Sequence, residues 1–142
     1  MPRDKPFHPR RARARRLPYA VPAAKPSEPV LSAAPALLCL STCPDRAVAD
    51  RIARALVDER LAACVNLLPG IASVYRWEGA VETGEEVLML IKTAPERLQA
   101  LTARIQALHP YDVPEVVAVE ISGGLPAYLE WIASETTGGP QA

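Results

Sequence analysis

An α+β sandwich with the order β-α-β-β-α-β and a closing helix is the fold this 142-residue chain predicts. Three observations predict it. Short apolar runs at 36–41 and 87–91 suit strands covered by other layers. Stretches at 48–56, 98–108 and 125–132 space their apolar residues at helical intervals. Two long extended segments meet at Glu78-Gly79, as the arms of a hairpin do. The length leaves room for one domain and one core.

Ala36 to Ser41 reads as the first strand. Pro44 then sits where a first helical turn tolerates proline, with Thr42 or Cys43 as the expected N-cap and Asp45 near the positive end of the dipole. Val48, Ile52, Ala55 and Leu56 make the apolar stripe of a helix ending near Arg60, with Arg46, Asp50, Arg54 and Asp58 on its outer side. Cys64 to Trp77 reads as a strand bent at Pro69-Gly70, because proline cannot donate to a ladder. Ala80 to Thr93 returns as its partner, loosened at Thr83-Gly84. Pro95 opens a second helix with Leu98, Leu101, Ile105 and Leu108 inward, and Pro110 forbids its continuation. Glu115 to Ile121 is a further strand, and Leu125, Tyr128, Leu129 and Ile132 mark the closing helix. Two β-α-β halves joined in this way give a ferredoxin-like antiparallel sheet with helices on one face.

The hairpin is long for such a body. An unbent arm at about 3.3 Å per residue reaches roughly 46 Å, against about 34 Å for the diameter of a compact domain of this size. An overhanging ribbon with Tyr75 and Trp77 exposes unpaired edges and aromatic area, so a closed homo-oligomer is expected, unless the hairpin curls back over its own sheet.

Charge divides the chain: residues 1–35 hold 8 Lys+Arg against 2 acids, and residues 36–142 hold 8 against 14. The first segment also holds 8 of the 15 prolines, with Arg10, Arg11, Arg13, Arg15 and Arg16 among them, and is read as a disordered Arg/Pro-rich arm. It could tether nucleic acid or another acidic surface weakly, direct the chain to an organelle, or be an extension with no role. Base-stacking aromatics are missing beside the arginines, which disfavours nucleic acid as a partner. Residues 36–137 form the domain, and 138–142 a flexible tail. No run approaches the roughly 18 apolar residues of a membrane-crossing helix, and the first residues lack the apolar core of a secretory signal. A soluble cytoplasmic protein without a membrane partner is expected. Cys39, Cys43 and Cys64 are odd in number and lack a CxxC spacing, which suits reduced, buried thiols.

Four stretches, Arg60 to Asn66 (RLAACVN), Ser73 to Gly79 (SVYRWEG), Glu86 to Thr93 (EVLMLIKT) and His109 to Glu115 (HPYDVPE), resemble the CutA family in order and spacing. The likeness extends over residues 36–135. It implies a ferredoxin-like subunit assembled as a homotrimer, linked to divalent-cation tolerance, with copper(II) or another divalent cation as ligand in some members and no established reaction. The proposed copper ligands of those members, a cysteine ending the first strand and two adjacent histidines, fall here on Ser41, Leu108 and His109, so only His109 is kept.

His109, Cys64 and Cys39 are therefore the candidate metal ligands. For His109 the competing role is to satisfy carbonyls at a helix end. Tyr75, Trp77, Glu86, Lys92, Tyr111 and Glu115 are the candidates for an inter-subunit cleft or interface. Lys92 is expected to pair with Glu115 or Glu86 across strands, or to bind an anion. No catalytic residues stand out: GxSxG, HExxH and a phosphate-cradling glycine loop are all missing. The leading reading is a non-enzymatic, metal-responsive trimer. The alternative is a small-ligand signalling module of PII-like type with effectors in inter-subunit clefts, which rests on likeness of fold.

Overall fold

Alternation shapes the first strand. In β1 (Leu37–Cys43) the odd residues Leu37, Cys39, Ser41 and Cys43 are buried and the even ones half-exposed, as a sheet with one covered face requires. The structure, a computed structural model, describes residues 34–138. The expected disorder of the arm falls largely on residues 1–33, and the tail largely on 139–142, both outside the described residues.

β1 is followed by α1 (Arg46–Asp58), β2 (Cys64–Trp77), β3 (Ala80–Thr93), a single 3-10 turn at Pro95–Arg97, α2 (Leu98–Leu108), β4 (Val117–Glu120) and α3 (Pro126–Glu135). The sheet runs β2-β3-β1-β4 with every neighbouring pair antiparallel. Each β-α-β half thus has its two strands separated by a strand of the other half. The α+β order is as expected.

Glu78 and Gly79 close the hairpin with φ of 47° and 81°, the left-handed pair that a tight two-residue turn needs. At Pro69-Gly70 the register shifts between Leu68 and Ile71, so two residues stand opposite Val87 alone. Gly70, at φ 74°, makes that bulge without side-chain strain. Thr83-Gly84 is not loosened: both residues keep their register opposite Val74 and Ser73. The β1–β3 ladder ends at Cys43 and Val87. Beyond it only β2 accompanies β3, for the 7 pairs from Ile71–Glu86 to Trp77–Ala80. That overhang is about 23 Å long.

α1 begins two residues later than expected from its proline. Asp45, not Thr42 or Cys43, is the N-cap, and its Oδ1 accepts from the Val48 N–H at 2.8 Å. Pro44 lies before the cap and leaves the acid to satisfy the free amide. Asp45→Ala is expected to lower stability by about 1 kcal/mol, read as a shifted urea midpoint. Asp45→Asn should restore most of it.

The buried stripe of α1 is Ala49, Ile52, Ala53 and Leu56, with Val48 half-buried beside it. Ile52 and Leu56 pack with Leu101 and Ile105 of α2 against Cys39, Met89 and Ile91 of the sheet. Leu129 and Ile132 of α3 close a smaller cluster on Ala36 and Ala63. The helix ends at Asp58, because Arg60 turns left-handed at φ 57°. β4 is shorter than expected, and Leu125 precedes α3 as an exposed N-cap instead of joining its buried stripe.

Candidate functional site

The α2 helix stops at Leu108 because Pro110 cannot donate, and His109 leaves it in extended backbone. The imidazole then joins two elements. Its Nδ1 accepts from the Tyr111 N–H at 3.1 Å, which leaves Nε2 as the donor to the Thr42 carbonyl of β1 at 2.7 Å. The Tyr111 ring lies 4.6 Å from the imidazole, and its hydroxyl donates to Glu86 Oε2 of β3 at 3.2 Å. Burial, followed by the Glu86 carboxylate, pushes the Tyr111 phenol up to about 12, so it keeps its proton at neutral pH. His109 is the pin of this loop.

The pinned loop forms one wall of a cleft of about 790 Å³, and the overhanging part of the hairpin forms the other. Tyr75 and Trp77 from β2, Glu86 from β3, and Tyr111, Asp112 and Glu115 from the loop line it. Lysine and arginine do not occur among its lining residues. Its charged lining residues are therefore all acidic, and three of its lining side chains are aromatic. A second groove, of about 660 Å³, lies between α1 and β2, but its Arg54 is already paired with Asp50.

Five of the six residues expected at a cleft or interface thus come together, and Lys92 does not. Lys92 lies six positions along β3 from Glu86 and donates to Asn66 Oδ1, not to Glu86 or Glu115. The register explains this: Lys92 faces Cys64 and Leu38 at the far end of the sheet. Asp112 was not singled out by sequence, although it lies within the same HPYDVPE stretch.

The metal candidates lie apart within the subunit. Cys39 faces the helices, and burial pushes its thiol up to about 11, against the thiolate that a soft metal needs. Cys64 lies on the opposite face, where its thiol donates to Asn66 Oδ1 at 3.7 Å. His109 has both ring nitrogens engaged. Among the described residues, no three His, Cys, Asp or Glu side chains are grouped to hold a metal ion. These three residues of one chain do not fit a copper site.

Ser41 is fully buried, and its Oγ has no hydrogen-bond partner among the described residues. A buried unsatisfied hydroxyl costs about 1–3 kcal/mol. Ser41→Ala is accordingly expected to raise the urea midpoint, and a lowered midpoint would mean that the hydroxyl is satisfied.

Residues 37–135 match the family described as CutA1 divalent ion tolerance protein. The chain belongs to that family. A divalent-cation tolerance protein CutA of Thermus thermophilus is 50% identical over 97 residues, covering 68% of this chain and 94% of that one. The chloroplastic CutA of Arabidopsis thaliana is 47% identical over 102 residues, covering 72% and 56%. The match thus spans little more than half of the plant relative, but nearly all of the bacterial one. The crystal structure of CutA from Xylella fastidiosa superimposes with a TM-score of 0.70 at 52% identity, covering 71% of this chain and 97% of that one. The CutA1 family is one of tolerance proteins, and the α+β architecture is shared with its solved members.

Proposed function

We propose that this chain acts in the cytoplasm as a homotrimeric, non-enzymatic member of the divalent-cation tolerance family, with the Tyr75–Glu86–Tyr111 cleft as its ligand site beside a neighbouring subunit. The observation that carries the assembly is the sheet face turned away from α1 and α2. Leu38, Leu40, Leu88 and Leu90 are only half-buried there, and Leu68, Val117 and Val119 are 50%, 48% and 53% exposed. A contiguous apolar face of this kind marks an interaction surface in a soluble protein. The overhanging hairpin adds Tyr75 and Trp77, both half-exposed, whose partners Glu82 and Ala80 continue the same face of β3. Three is the copy number that the family resemblance implies.

The relation to divalent cations comes from the family. The cleft offers a cation the carboxylates of Glu86, Asp112 and Glu115, whereas Cys39 is buried and both ring nitrogens of His109 are engaged. The second reading, a signalling module holding a small effector between subunits, draws support from the aromatic lining. Light scattering on the purified chain tests the assembly. A mass three times 15.3 kDa is expected, and a monomer at micromolar concentration would refute it.

A further inference from the structure

Resting on the reading of the cleft as the ligand site, we propose that its ligand is an organic cation of the alkylammonium class, held by ring faces and carboxylates without metal coordination. Tyr75, Trp77 and Tyr111 line the cleft and remain 48%, 51% and 40% exposed. The negative face of an aromatic ring attracts a cation within about 6 Å of its centre, tryptophan most strongly. Tyr111 is already fixed, by its backbone bond to His109, its ring contact with that imidazole and its hydroxyl bond to Glu86. It loses little freedom when a ligand arrives.

Charge points to the same class. Glu86, Asp112 and Glu115 line the cleft without a lysine or arginine to balance them, and Glu82 stands opposite Tyr75 on the hairpin. Phosphates and other anions find no lysine or arginine among the described lining residues. A hard divalent ion requires about six to eight oxygen ligands, or retained waters in their place. A soft one requires converging imidazole or thiolate. No three acidic, histidine or cysteine side chains among the described residues meet closely enough for either, and one oxygen of Glu86 is already engaged by Tyr111. An alkylated ammonium makes no coordination demand. It is satisfied by diffuse negative charge around an apolar wall, and the cleft is of the size of small-molecule sites.

The chain has two tryptophans, so Trp131→Phe leaves Trp77 as the sole reporter. Its fluorescence is to be followed on addition of tetramethylammonium chloride, with tert-butanol as the neutral globular counterpart and sodium chloride holding ionic strength constant. Calorimetry on the unaltered chain repeats the titration, independently of the substitution. A saturable response to tetramethylammonium is expected, at least tenfold tighter than to tert-butanol and weakened severalfold by Glu86→Gln. Equal responses to both would show an apolar groove and overturn the proposal. A response to copper(II) chloride with none to tetramethylammonium would overturn it while keeping the cleft as the ligand site. Silence with every probe would remove both readings.

Discussion

Leu90→Asp is expected to leave the chain as folded monomers in place of the proposed homotrimer. Leu90 is at the centre of the uncovered sheet face, paired with Leu40 on one side and Asn66 on the other. In a lone subunit the new carboxylate can reach water, so the monomer should keep its helices and sheet. In the proposed assembly it would be buried among Leu38, Leu40, Leu88 and Val117, where the nearest cation along the face, Lys92, is already held by Asn66, and burying a charge in such surroundings costs several kcal/mol. Three copies per assembly multiply the penalty. Sedimentation at a series of concentrations, with circular dichroism to verify the fold, reads the result. A variant still trimeric at low micromolar concentration would place the interface elsewhere.

Ile52→Ala should produce the largest loss of stability. Ile52 is fully buried and belongs to the cluster in which α1 and α2 meet the sheet. Removing three carbons there forfeits their transfer free energy and leaves a cavity between layers, a cost of about 2–5 kcal/mol. Domains of this size are stable by only about 5–15 kcal/mol. Urea unfolding should show a midpoint reduced by a third or more, at unchanged slope. Val57→Ala, on the exposed side of the same helix, serves as the control and should move the midpoint little. Equal effects at both positions would mean that α1 is not anchored by this cluster.

What could be read from sequence follows how local each cause is. The bounds, turn and bulge of the hairpin are legible in Glu78-Gly79 and Pro69-Gly70, whereas Thr83-Gly84 suggests a loosening that the ladder does not have. The helices were legible from their spacing, yet the start of α1 was misplaced, since Pro44 suits a first turn and only the real path shows Asp45 reaching the Val48 amide. Register was harder. The sequence suggests an acidic partner for Lys92, but the ladder sets it beside Cys64 and gives it Asn66. Tyr75, Glu86, Tyr111 and Glu115 are each legible as candidates for an inter-subunit cleft or interface, whereas the pin that holds the loop, His109 on the Thr42 carbonyl, joins residues 67 positions apart and leaves no local trace. Nor does any pattern announce that Ser41 Oγ has no hydrogen-bond partner among the described residues.

The two-residue bulge opposite Val87 also acts as a phase shifter. Before it, the even residues Cys64, Asn66 and Leu68 of β2 stand beside the even residues of β3; after it, the odd residues Ile71, Ser73, Tyr75 and Trp77 do. Because side chains alternate between faces with a period of two, one extra residue inverts the parity of everything downstream. Tyr75 and Trp77 share a face with Glu82 and Glu86 only through that inversion. Deleting Gly70 would leave the hairpin's composition almost intact and turn both rings away from the carboxylates. The spelling of the site therefore depends on a residue that never touches its ligand.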